Sequence, residues 1–282
     1  MSYQIGLSNG MMGDNVEIIM SQCKKAGISA IEISPPQDKY FLVNYQRIYE
    51  SAQKNEITLW SFHLPFMPFE KWDISKKELQ DNTVAYMCEF IDKASAIGVK
   101  NFIVHPSGEP VADAERAERM ECAKKSLFTL AEYAKTKGAV IAVEDLPRSC
   151  LGRNSEEILR LISTHEDLRV CFDSNHLLAE NPADFVKKLG EKIVTVHISD
   201  YDFVDERHWL PGEGKVDWQA VLTALKETGY QGVWLYEIGF KCPATILRER
   251  DLTCEDFVQN AKELFAGKTP TIYGTPKTSL GF

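Results

Sequence analysis

The chain alternates between short apolar runs and longer amphipathic stretches. Eight runs rich in Val, Ile and Phe read as strands: Gln4–Ser8, Ala30–Ser34, Ile57–Pro65, Asn101–His105, Ala139–Glu144, Leu168–Asp173, Ile193–Ser199 and Val233–Ile238. Several are continuously apolar, the pattern of strands covered on both faces. Between them lie helical patterns over Asn15–Ala26, Tyr45–Lys54, Lys77–Ile97, Ala112–Lys137, Ser155–Thr164, Pro182–Leu189 and Trp218–Thr228, with Glu255–Phe265 closing the series. Gly27, Gly98 and Gly138 stand where C-cap glycines belong, and Asp217 precedes a helix as a cap.

Strand ends recur about every 33 residues from Ser8 to Glu237. Strand–helix alternation at this spacing predicts parallel strands and right-handed crossovers. Eight such units predict a single-domain α/β fold, the (β/α)8 TIM barrel. An open doubly wound sheet lacks support, because no G-x-G-x-x-G follows the first strand and no Walker A motif occurs. The barrel is assigned to residues 1–267. Residues 268–282, rich in Thr, Pro and Gly, are expected to extend outside it.

Composition adds exclusions. Of 282 residues, 44% are apolar and 26% charged, as in globular proteins, so disorder, collagen and coiled coil are out. With 32 basic and 41 acidic residues the net charge is −9, which argues against a nucleic-acid or anionic-membrane partner. The seven cysteines show no CxxC, and the first residues show neither a basic nor an apolar leader region, so reduced thiols and a cytoplasmic location are expected. No apolar run approaches the ~20 residues that span a bilayer.

The chemistry gathers at the strand ends. The third strand ends around His63, the fourth at His105, the fifth at Glu144-Asp145, the sixth at Asp173 with His176 just beyond, the seventh at His197 and the eighth at Glu237. His208 lies in the loop after the seventh. In a barrel these ends share one rim, where active sites sit. Several carboxylates converging there without a cation would be costly, and a divalent ion removes that cost. Glu144, Asp173, His197 and Glu237, from four successive strands, form the best ligand set. Three oxygens and one nitrogen suit one Mn²⁺ or Zn²⁺, with Mg²⁺ and Co²⁺ as further choices.

With these residues in view, the sequence resembles the xylose isomerase-like TIM barrels: sugar phosphate isomerases and epimerases, ketose 3-epimerases, hydroxypyruvate isomerase, inosose isomerase and dehydratase, and endonuclease IV. The resemblance runs from about residue 4 to residue 265. It rests on Val143-Glu144, Phe172-Asp173-Ser174-Asn175-His176, Val196-His197-Ile198-Ser199-Asp200 and Pro211-Gly212-Glu213-Gly214-Lys215-Val216-Asp217-Trp218. It implies that Glu144, Asp173, His197 and Glu237 bind one metal, that Glu144 and Glu237 are the proton-transfer pair, that His176 contacts substrate and that His105 supports the site. It also implies a small carbohydrate substrate and a homo-oligomer, dimers or tetramers being common among relatives.

The expected reaction is isomerisation or epimerisation of a small sugar, ketose or polyol. A Lewis acid polarises the carbonyl and a carboxylate removes the α proton. A dehydratase or lyase acting on an inosose- or dehydroshikimate-like compound is the alternative. A three-zinc DNA repair enzyme is a more distant one, kept open by His63, His105, His176 and His208, although Glu206 stands where that group has Asp. His63 is a candidate for substrate contact and equally for a satisfied histidine of the pocket wall. His208 is a substrate or lid candidate. Arg148 and Lys215 are candidates for a substrate phosphate, and Arg148 is also a candidate ion-pair partner of Glu144. The aromatics Trp60, Phe62, Phe66, Phe69 and Trp72 are candidates for the pocket or the core. Glu115–Arg119 reads as a solvated helix face.

Overall fold

A computed structural model describes residues 3–12 and 15–277. Eight parallel strands are β1 (Ile5–Ser8), β2 (Ala30–Ile33), β3 (Thr58–His63), β4 (Asn101–Val104), β5 (Val140–Glu144), β6 (Arg169–Asp173), β7 (Ile193–His197) and β8 (Trp234–Tyr236). Each pairs with its sequence neighbour from β1 to β7, and β8 lies beside β1. The ring closes where Ile198 bridges Tyr236, with the Ile198 N–H donating to the Leu235 carbonyl at 2.8 Å. This order makes the closed barrel and excludes the open doubly wound sheet.

The crossovers are α1 (Val16–Ala26), α2 (Tyr45–Asn55), α3 (Gln80–Ala96), α4 (Arg116–Thr136), α5 (Ser155–Ile162), α6 (Pro182–Leu189) and α7 (Trp218–Glu227), and α8 (Cys254–Phe265) follows β8. Gly27 ends α1 in the left-handed region at φ 95°, which a glycine adopts without strain. Asn154, Asn181 and Asp217 cap α5, α6 and α7 by accepting first-turn N–H groups. The helices α3 and α4 begin three to four residues later than their apolar pattern suggested, because Ser75–Leu79 and Asp113–Glu115 are turns.

Alternation along the strands builds two layers. Outward residues such as Ile31, Phe62, Phe102, Val143, Phe172, Val196 and Trp234 join the large apolar layer under the helices. Inward residues form a small plug at the bottom, from Ala30, Trp60, Val233 and Leu235 on one side and Ile103, Ala142 and Cys171 on the other. Further along β2 to β8 the same inward face carries Glu32, His63, His105, Glu144, Asp173, His197 and Glu237, with a bulge in β3 between Trp60 and His63. Alternation along the strands therefore gathers these side chains toward the C-terminal end of the barrel.

Gly274–Pro276 pairs antiparallel with Ile246–Arg248 in a separate two-stranded sheet, here β10 and β9. Residues 268–277 thus fold back against the loop that follows β8. Met1, Ser2, Gly13, Asp14 and residues 278–282 of the expected barrel and extension lie outside the described residues. Among the described residues no helix is long and apolar enough to cross a membrane. In the Glu115–Arg119 segment Glu115, Ala117 and Glu118 are exposed as expected of a solvated face, but the two arginines depart from it. Arg119 is buried and donates to Asp73 at 2.6 Å and to Ser75 Oγ at 2.7 Å, and Arg116 forms a two-pronged pair with Glu157. A buried guanidinium is retained there because each face of its fork finds an oxygen.

Candidate active site

A cavity of about 310 Å³ opens on the rim, lined in part by His63, Phe66, His105, Glu144, His176, Glu206, His208 and Glu237. Glu144 and Glu237 of this lining, together with the buried Asp173 and His197, each offer a ligand atom, and these atoms lie within 4.8 Å of one another. His197 Nδ1 is 3.0 Å from Glu144 Oε1, 3.5 Å from Glu237 Oε2 and 3.7 Å from Asp173 Oδ2. Glu144, Asp173 and His197 are almost wholly buried.

The turn after β6 is braced from behind. Asp145 accepts the Asp173 N–H at 2.8 Å, and Asp173 Oδ1 accepts the Asn175 N–H at 2.6 Å. The other oxygen of Asp173 is buried and has no hydrogen-bond partner among the described residues. A buried carboxylate oxygen of this kind is expensive unless a cation meets it. These residues therefore fit a divalent ion.

The electrostatics agree. Burial resists the charge of Glu144, yet His197 and His105 hold it well below the usual carboxylate range. Burial raises Asp173, and the Glu144 charge beside it adds to that. Burial, against the pull of His197 and helped by Asp173 and Glu144, pushes Glu237 up to about 7. Three carboxylates around one imidazole repel one another's charge, and a divalent ion held there would offset that repulsion.

A second group shares Glu144. His63 Nε2 lies 3.2 Å and His105 Nε2 3.1 Å from Glu144 Oε2, and these three residues also offer atoms within ligand reach of one another. Three histidines are fixed in one sense by backbone carbonyls. Nδ1–H of His63 donates to Leu64, that of His176 to Asp145 and that of His208 to Glu237, at 2.8, 2.7 and 3.1 Å. Such an outer hydrogen bond fixes a ring tautomer and leaves Nε2 for the site. His176 Nε2 faces Glu206 at 2.9 Å. Despite burial, His176 and Arg148 draw Glu206 down to about 2.

Four of the five candidate substrate residues, His63, His105, His176 and His208, line this cavity. Arg148 does not. It stands at φ 50° in the left-handed region, and its guanidinium is held by Glu109, Asp205 and Glu206. It ties the loops after β4, β5 and β7 together and leaves Glu144 to the histidines. Of the five aromatics, Phe66 lines the cavity and stacks on His105 at 4.1 Å, whereas Phe62 and Trp72 are core. Cys171 lies one step below the ligands, within reach of Glu144 and His197.

Sequence reasoning missed Glu32. It is fully buried on β2 and accepts from Ser8 Oγ at 2.9 Å and Ser61 Oγ at 2.7 Å, and it faces His197 Nε2 at 3.0 Å. The one signal was a carboxylate inside an otherwise apolar strand, Ala30-Ile31-Glu32-Ile33.

The loop Pro211–Trp218 closes the rim beside β7. Asp200 accepts from the Gly212 and Val216 N–H groups and from Trp218 Nε1. At Gly214 a Cβ would collide with the Asp200 carboxylate, so only glycine lets the two approach. Gly214→Ala is expected to cost at least about 1–3 kcal/mol through this overpacking, measured by urea unfolding.

Residues 20–251 match the family model of the xylose isomerase-like TIM barrel. The chain belongs to this family. Similar members include the fructoselysine 3-epimerase of Escherichia coli O157:H7, 28% identical over 120 residues, which are 40% of this chain and 44% of that protein. The inosose dehydratase of Clostridium botulinum is 26% identical over 269 residues, covering 82% of this chain and 86% of that one. Among solved structures, a D-tagatose 3-epimerase-like protein superposes with a TM-score of 0.78 at 25% identity, over 94% of this chain and 96% of its own. The xylose isomerase-like barrel thus accounts for the strand order.

Proposed function

We propose that this chain is a sugar isomerase or epimerase that moves a proton on the carbon next to a carbonyl of a small ketose or polyol, with Glu144 and Glu237 as acid and base. One divalent ion, Mn²⁺ or Zn²⁺ ahead of Mg²⁺ or Co²⁺, would be held by Glu144, Asp173, His197 and Glu237. The observation that carries this reading is the convergence of those four side chains, with the two glutamates among them lining an open cavity. When bound, the ion supplies a Lewis acid that polarises the carbonyl and stabilises negative charge on its oxygen.

The remaining work falls to the chain. One glutamate takes the proton and the other returns it. If the two carboxylates address opposite faces of the substrate, the product is an epimer. If one carboxylate returns the proton to the adjoining carbon, the product is an isomer. His176 and His208, fixed through Nδ1, turn their rings to the cavity to orient hydroxyls, and Phe66 covers one wall. Loss of a β-hydroxyl from the same carbanion would make the chain a dehydratase, as the inosose dehydratase similarity suggests.

The substrate is unphosphorylated in this reading. Among the described residues no Lys or Arg lines the cavity, whereas Glu144, Glu206 and Glu237 do. Arg148 is bound by three carboxylates, and Lys215 is exposed away from the cavity. Like charges in contact cost several kcal/mol, so a phosphorylated sugar should show kcat/KM lower than its free counterpart by at least about a hundredfold. Equal efficiency for both would overturn this point.

The test is incubation of unphosphorylated ketoses and an inosose with the Mn²⁺- or Zn²⁺-loaded chain in deuterated water. Deuterium next to the carbonyl, with an epimer or isomer formed, supports the reading. A product lighter by one water marks the dehydratase. Absence of exchange across the panel counts against proton transfer. A second reading, a multinuclear site of the endonuclease IV kind, is favoured by the His63, His105 and Glu144 group. The acidic cavity and the net charge of −9 oppose a nucleic-acid substrate.

A further inference from the structure

The side chain that the proposed reaction leaves unused is Glu32. Its carboxylate sits inside the barrel with no exposure, beneath His197 and across the sheet from it. Burying a carboxylate this deeply is costly, and nothing in the apolar plug below it requires one. Ser8 from β1 and Ser61 from β3 each turn a hydroxyl toward it, so three strands hold one carboxylate in place. The remaining partner is the imidazole.

A neutral imidazole has one N–H and one lone pair. Nδ1 of His197 points at Glu144, Asp173 and Glu237, and Nε2 points at Glu32. If the ring is to give its lone pair to an ion among those three carboxylates, its proton must lie on Nε2. Glu32 accepts that proton's hydrogen bond at 3.0 Å. The opposite tautomer would set a lone pair against a buried anion.

We infer that Glu32 is a positioning residue: through its contact with Nε2 it fixes the tautomer and tilt of His197, so that Nδ1 is presented to the divalent ion. This rests on the metal site proposed above. The two serines fix Glu32 in turn, and the negative charge beneath the ring makes Nδ1 a better donor. Glu32 touches neither substrate nor ion; it acts through His197.

Two measurements on the full chain test this. The first is Zn²⁺ affinity of the apo protein by chelator competition, for wild type and Glu32→Gln. Outer partners of this kind are worth about 10–100-fold in metal affinity, so Glu32→Gln should weaken Zn²⁺ binding by at least about tenfold. A variant that binds as tightly as wild type overturns the role. The second needs no variant and covers the case in which Glu32→Gln does not fold. In the Zn²⁺-loaded wild type, ¹⁵N spectra of the His197 ring should show Nε2 protonated and Nδ1 bound to the ion. A proton on Nδ1, or the ion on Nε2, overturns the inference while leaving the proposed reaction standing. A wild-type chain that takes up no ion fails the metal reading itself, and the role of Glu32 with it.

Discussion

Glu144→Gln is expected to lower kcat by roughly 10²–10⁴-fold, the usual contribution of a positioned general acid or base. The glutamate is almost wholly buried and meets three imidazoles, His63, His105 and His197, at 3.0–3.2 Å. Glutamine keeps the shape and one oxygen able to face an ion. It cannot accept a proton. KM should change little, because the cavity wall is unaltered, and divalent-ion content should be largely retained. Steady-state kinetics paired with elemental analysis reads both. Activity close to wild type would remove Glu144 from the proton-transfer pair. A loss of activity with complete loss of the ion would reassign Glu144 to metal binding alone.

The largest effect on stability is expected at Glu213. Its carboxylate accepts the Leu210 N–H at 3.0 Å and pairs with Arg248, and both side chains have no exposure. Nη1 of Arg248 already has no hydrogen-bond partner among the described residues. Glu213→Ala would leave a buried guanidinium without its counter-charge, which costs about 3–5 kcal/mol. Because Arg248 belongs to β9, the variant should also loosen the pairing with Gly274–Pro276. Urea unfolding measures the first effect, and proteolysis of the chain end reports the second. Replacing both partners by apolar residues should be far less harmful, because no charge is then stranded. A single variant as stable as wild type would mean that water reaches Arg248.

Much of this architecture was legible in the residues. Runs such as Phe102-Ile103-Val104 and Val170-Cys171-Phe172 announce strands buried on both faces, and glycines such as Gly27 mark where helices stop. The rim followed from the same strands, since His105, Glu144, Asp173 and His197 stand at or just beyond their ends. Glu32 was not legible, because one carboxylate in an apolar strand gives no hint of which histidine lies across the barrel. Arg119 was hidden for a similar reason. Its partner Asp73 is far off in sequence, and only the fold brings them to 2.6 Å. Arg148 read as an anion binder, and three carboxylates from distant loops occupy it instead. The β9–β10 pair escaped because Ile246–Arg248 and Gly274–Pro276 are three residues each, too short for any period to show.

Metal content tests the central claim most directly. The purified chain and its Glu237→Ala variant should be reconstituted with Mn²⁺ and with Zn²⁺, dialysed and analysed for metal. The account predicts a single divalent ion per wild-type chain and loss of that ion in the variant. Three zinc ions per chain would favour the multinuclear, repair-type site. No ion in the wild type after reconstitution would contradict the account, leaving Glu144, Asp173, His197 and Glu237 without the cation that their convergence requires.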